Sequence, residues 1–161
     1  MQTFSCACGQ RLFFDNTRCL ACERKAGWCP ACNALRGLDT AAPRDDGTGG
    51  PWRCTAPGCG ATLVACHNYA THGVCNRMVR AGPGDGAGEP LCAVCRHNRT
   101  VPDTSVPGHR EKWKRVEAAK RRLFYTLDRL GLPYGTADDD IDPALEFDFK
   151  AELVRDRTAW Q

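Results

Sequence analysis

The spacing of its cysteines constrains this chain more than any other feature. Twelve cysteines fall in the first 95 residues, as Cys6-x-Cys8, Cys19-x2-Cys22, Cys29-x2-Cys32, Cys54-x4-Cys59, Cys66-x8-Cys75 and Cys92-x2-Cys95. Two thiolates from one tight turn can reach one metal, and two such turns face to face complete a tetrahedral four-sulfur shell suited to zinc. Taken in chain order they make three sets of four. Each set is predicted to hold one structural Zn2+: Cys6, Cys8, Cys19 and Cys22; Cys29, Cys32, Cys54 and Cys59; Cys66, Cys75, Cys92 and Cys95.

An even number of cysteines also permits a disulfide framework, as in small secreted domains. Residues 1–10 show neither the basic start nor the apolar run of a secretory signal, so the predicted location is the cytoplasm, where thiols stay reduced. Pairs such as Cys29 and Cys32 resemble a redox dithiol, but several of them in series favour metal over exchange chemistry. Spacing alone does not separate zinc from iron in a four-thiolate site. No apolar run of about 18 residues occurs, and no membrane partner is predicted.

Residues 1–100 are poor in large aliphatics and rich in Gly, Pro, Arg and Cys. Units below about 40 residues with so little core rely on metal for stability. The predicted fold is a small metal-stabilised α+β chain. Tandem zinc ribbons, short β-hairpins with four-cysteine sites, are followed by one amphipathic α-helix and a C-terminal strand. Composition divides the chain into a first ribbon at 1–23, a second zinc-binding unit at 24–61, a third ribbon at 62–103, a helix at 108–131 and an acidic loop and strand at 132–161. Within these units, Leu12 to Phe14 and Thr62 to Ala65 read as strands. The stretches Ala41 to Pro51 and Ala81 to Pro90 read as exposed loops.

The formal charge of +3 counts every cysteine as neutral. Twelve thiolates and three Zn2+ ions shift it to about −3, so global charge gives no support for nucleic-acid binding. His67, His72 and His97 lie close to the third set and could replace thiolates, although twelve cysteines already satisfy three sites. The spacing of His67 and His72 is not that of a His-Glu-x-x-His metalloprotease helix.

From His109 to Leu130 glycine, proline and cysteine disappear, and Trp113, Val116, Leu123, Leu127 and Leu130 recur at helical intervals. Gly131 and Pro133 supply the stop. Eight basic and three acidic residues give this helix a net charge of +5. Trp113, Lys114, Arg121 and Arg122 are its candidate partner-binding residues, with core packing the competing reading for Trp113 and a solvated face that for the cations. Beyond Gly131 the sign reverses. Asp138, Asp139, Asp140 and Asp142 lack EF-hand spacing and read as a solvated loop, and Leu145, Phe147 and Phe149 alternate with polar residues as in a half-buried strand.

The series Phe4-x-Cys6-x-Cys8-Gly9-Gln10-x-Leu12-Phe13-Phe14-x-Asn16 and Cys19-Leu20-x-Cys22 resembles the opening ribbon of the bacterial putative zinc-binding metallopeptidase family. The resemblance continues through Cys66-x-Asn68-Tyr69, Gly73-x-Cys75-Asn76 and Cys92-x-x-Cys95-Arg96-x-Asn98-Arg99-Thr100-x-Pro102-Asp103. It then runs through Trp113, Glu117 to Leu123, Tyr125 to Leu127 and Leu130 to Pro133. Residues 24–61 fit that pattern less well, and Arg77 stands where the family usually has Trp. The family's peptidase domain carries a His-Glu-x-x-His helix that this sequence lacks. The resemblance therefore implies a structural zinc-ribbon module of a zinc metallopeptidase, not itself catalytic, with a protein substrate or a catalytic domain as partner. The alternatives are a stand-alone nucleic-acid-binding zinc ribbon and an interaction adaptor that uses the 108–131 helix.

Overall fold

A computed structural model describes residues 2–41, 51–82, 90–136, 139 and 144–150. Most of the two loops predicted at Ala41 to Pro51 and Ala81 to Pro90 lies outside the described residues, as do Asp138, Asp140 and Asp142 of the acidic stretch.

The first unit is a ribbon as expected. Strands β1 (Thr3–Ser5) and β2 (Arg11–Phe13) pair antiparallel, with Phe4 opposite Leu12 and both buried. Two further separate hairpins do not follow. Instead β3 (Lys25–Cys29), β4 (Ala34–Thr40), β5 (Trp52–Cys54), β6 (Thr62–Ala65) and β7 (Met78–Arg80) form one antiparallel sheet in that order. The sheet curls, because the Trp28 N–H on β3 donates to the Asn76 carbonyl at 2.7 Å, just ahead of β7, and Trp28 bridges Arg77. The tandem-hairpin expectation holds for the first ribbon and gives way beyond it for a physical reason. Neither unit has enough aliphatic surface for its own core, so Leu38, Leu63, Tyr69 and Met78 are pooled in one cluster together with six zinc-set cysteines and Phe124.

A second cluster joins the first ribbon to this sheet. Phe4, Leu12 and Phe14 pack with Trp28 and Leu35. The Phe4 and Trp28 rings meet edge to face at 5.5 Å, a favourable arrangement of ring quadrupoles. Gly37 on β4 faces the first cysteine set so closely that a Cβ there would lie 2.7 Å from the Cys6 Sγ. Only glycine permits that approach.

After β6, a short helix α1 (His67–Ala70) carries Asn68 and Tyr69 inward. Following β7, a single 3-10 turn at Cys95–His97 leads into β8 (Asn98–Thr100) and then into the long helix α2 (His109–Leu130), which has the predicted bounds. Its stop is a left-handed Gly131 at φ 65°, whose N–H reaches Asp128 while the Leu132 N–H returns to Leu127. The closing strand β9 (Phe147–Asp148) pairs parallel with β8. The chain is thus mostly β with one long helix. No helix among the described residues is long and apolar enough to cross a membrane.

The helix buries only part of the stripe that its sequence advertises, Trp113 fully and Leu127 partly. Its inward face is Trp113, Glu117, Lys120, Arg121 and Phe124, whereas Val116, Leu123 and Leu130 are 48%, 42% and 66% exposed. Burial here follows polar partners as well as apolar ones. The Glu117 Oε1 accepts from the Trp113 indole at 3.0 Å, the Asn98 amide at 2.7 Å and the Lys120 ammonium at 2.8 Å.

Candidate metal centres

The structure brings the twelve cysteines together in the three predicted sets, with all four sulfurs of each set within 4.8 Å of one another. Individual Sγ separations are 3.6 Å for Cys6 and Cys22, 3.6 Å for Cys8 and Cys19, 3.8 Å for Cys29 and Cys59, 3.9 Å for Cys32 and Cys54, and 3.9 Å for Cys75 and Cys92. A tetrahedron with Zn–S bonds of about 2.3 Å has S···S edges of about 3.8 Å. A disulfide would need about 2.05 Å. All twelve thiols are free, so the chemistry and geometry of the donors fit zinc, and the three sets are structural Zn2+ sites.

Each site is assembled across elements. The first lies between the β1–β2 turn and the loop ahead of β3. The second joins Cys29 at the end of β3 and Cys32 to Cys54 at the end of β5 and Cys59. Cys66, which caps α1, and Cys75 meet Cys92 and Cys95 to make the third. Backbone amides support this last site: the Arg77 N–H donates to the Cys75 Sγ at 3.3 Å, Cys92 to the Cys66 Sγ at 3.4 Å and Cys95 to the Cys92 Sγ at 3.4 Å. Such donors stabilise thiolate charge and orient the ligands.

The sites differ in exposure. All four cysteines of the third are buried, whereas Cys8 is exposed and Cys22, Cys32 and Cys59 are partly so. Without metal the Cys6 and Cys22 thiols of the first set shift in opposite directions. Burial pushes Cys6 up to about 12, while the backbone N–H of Arg24 pulls Cys22 down to about 6. The neighbouring thiols, Cys66 foremost, push Cys95 up. Four adjacent thiolates need a divalent cation to coexist, and that cation expels the remaining protons. Four thiolates also fill the tetrahedral shell, which leaves no position at which a metal-bound water could be activated.

The histidines take other places. His97 is buried against Phe124, ring centroids 4.4 Å apart, with its Nδ1 2.6 Å from the Leu145 carbonyl. His67 and His72 stack edge to face at 5.3 Å. None of the three joins a four-sulfur set.

The helix candidates divide. Trp113 is 1% exposed and Arg121 is buried, so neither presents a docking surface, which corrects that expectation. Arg121 donates to the Val74 carbonyl at 2.6 Å and to Asp15 at 3.1 Å. Arg122 also engages Asp15, and Lys114 is exposed. Asp15 and Phe124, which help tie α2 to the zinc-bearing body, carry no sequence reading, and Glu117 enters only within the family resemblance. The recurrence of Trp113, Glu117 and Phe124 at intervals of four and seven was the available signal.

Three closed cysteine sites on ribbons and a curled sheet define a zinc-ribbon protein. Residues 3–106 match the family model of a zinc-ribbon domain, and the chain belongs to that family. Residues 109–160 match the family described as "Putative zinc-binding metallo-peptidase", which agrees with the resemblance carried by the motifs. Among similar proteins are an uncharacterized protein of Mycobacterium bovis and two of Mycobacterium tuberculosis strains. Each is 34% identical over 149 residues, covering 91% of this chain and 36% of the relative. The chain thus spans about a third of the length of these curated relatives. No solved structure matches.

Proposed function

We propose that this chain is the structural zinc-ribbon module of a cytoplasmic zinc metallopeptidase and that it positions substrate or partner for a catalytic unit without performing hydrolysis itself. The observation that carries the reading is the junction of the two family matches: the zinc-ribbon match ends at 106 and the metallopeptidase match begins at 109, the first residue of α2. The closed four-thiolate shells support a structural role, since a peptidase zinc keeps one position open for water. The sequence offers no His-Glu-x-x-His pair to supply such a site.

The test uses a Mycobacterium tuberculosis relative with and without the segment that aligns to this chain, and casein and a short fluorogenic peptide as probes. Removal of the segment is expected to raise KM for casein at least several-fold and to leave turnover of the short peptide nearly unchanged. Equal handling of casein by both forms, or no zinc-dependent cleavage by either, would overturn the proposal. Hydrolysis by the 161-residue chain alone, abolished by Cys66→Ser, would overturn its non-catalytic part.

A further inference from the structure

The outer face of α2 carries a second pattern that the zinc-bearing body leaves unused. Val116, Leu123 and Leu130 recur at intervals of seven and stay exposed, with Ala119 and Thr126, also exposed, three residues after the first two. Leu132, just past the helix stop, is also 48% exposed. Single exposed apolar residues are ordinary, but an a/d-type row over three turns or more is the seam on which another helix packs. Immediately beside it run Arg115, Arg122 and Arg129, again seven apart. Arg122 turns toward Asp15 of the first ribbon, while Arg115 and Arg129 have no ion pair among the described residues.

We propose that this seam seats an amphipathic helix with acidic flanking residues from the metallopeptidase-family body to which residues 109–160 belong, a proposal that rests on the module reading above. Three observations select this occupant. The metallopeptidase match starts with α2, so the helix has one face in the zinc-ribbon body and sequence kinship with the peptidase side. About two thirds of each mycobacterial relative lies outside the region aligned with this chain, which is ample for a domain that covers the seam. The arginine column requires negative charge opposite it. A second copy of α2 laid antiparallel would set arginine against arginine, and laid parallel it would need the face already buried by Trp113 and Lys120.

The inward face of α2 sets the angle at which the seam is presented. Arg121 holds the Val74 carbonyl next to Cys75, and Lys120 and Glu117 hold Asn98, three residues after Cys95.

The experiment measures association between the zinc-loaded 161-residue chain and the unaligned remainder of a Mycobacterium tuberculosis relative, produced as a separate chain, by titration calorimetry, with sedimentation of the 161-residue chain alone. Leu123→Asp is expected to weaken association at least tenfold, and Arg115→Glu with Arg129→Glu several-fold, while zinc content stays at three and helix content is unchanged. Association unaffected by Leu123→Asp overturns the seam and leaves the module reading standing. Absence of any association overturns both. A dimer of the chain that Leu123→Asp converts to monomer overturns the proposal in favour of a second copy.

Discussion

The Arg121 guanidinium on α2 donates to the Val74 carbonyl at 2.6 Å, one residue ahead of the zinc ligand Cys75. A helix that belongs by sequence to the metallopeptidase match is thereby fastened to the third metal site, and a second bond to Asp15 fastens it to the first ribbon. Replacing Arg121 by Met leaves the Val74 carbonyl without its donor and the Asp15 carboxylate with Arg122 alone. A loss of about 2 kcal/mol is expected in urea unfolding, the cost of an unpaired buried acceptor plus a broken charged bond. Unchanged stability would show that the contact does not hold the helix.

Glu117 and Lys120 form a fully buried ion pair, with the Asn98 amide and the Trp113 indole completing the shell of one carboxylate oxygen. Glu117→Gln strands the Lys120 charge among Phe147 and Phe149 and is expected to cost about 3 kcal/mol. The double variant Glu117→Gln/Lys120→Met removes that charge and is expected to recover more than half of the loss. A double-mutant cycle on the unfolding midpoint measures the coupling, and additive losses would rule the charge argument out.

Arg77 lies buried over the Trp28 ring at 5.1 Å, and its Nε and Nη2 find no partner among the described residues. Two unpaired buried donors oppose folding, so Arg77→Met, which keeps the length and volume without them, is expected to stabilise the chain by about 1 kcal/mol. The measurement is the thermal midpoint at fixed zinc, and a fall in midpoint would mean that the ring contact outweighs the orphaned donors.

Zinc should leave in steps under a chelator, the first site before the third. Cys8 is exposed and Cys22 partly so, whereas Cys66, Cys75, Cys92 and Cys95 are all buried. Cys8→Ser is expected to reduce zinc to two per chain and leave the Trp113 near-ultraviolet signal intact. Cys95→Ser is expected to collapse that signal, because the third site lies in the same cluster as Phe124 of α2. Equal effects of the two substitutions would contradict this ranking.

Acidification should weaken zinc at the first site. The metal-free Cys6 thiol, at about 12, is protonated at neutral pH, so binding expels at least one proton and affinity falls about tenfold per unit as pH drops. Below about 6 the Cys22 thiol also takes a proton when metal-free, which steepens the slope. Competition with a chelator between pH 8 and 5 reads both limbs, and a pH-independent affinity would contradict the assignment.

The cysteine spacing by itself determined the three metal sets, since ligand pairs separated by a few residues in tight turns have few other ways to complete a tetrahedron. The sequence likewise marked out α2 by local signals, the loss of Gly and Pro after Gly108 and the Gly131 stop. Only the tertiary structure decided that the second and third units share one curled sheet, since the pairing of β5 with β6 crosses from one unit to the other and that of Trp28 with Arg77 joins residues far apart in sequence. The buried side of α2 was decided in the same way. Periodicity reports that an apolar stripe exists, but the helix turned Glu117, Lys120 and Arg121 inward because Asn98, Val74 and Asp15 wait there with matching hydrogen bonds. A buried polar side chain is stable only where its partners already stand, and that arrangement is a property of the assembled fold.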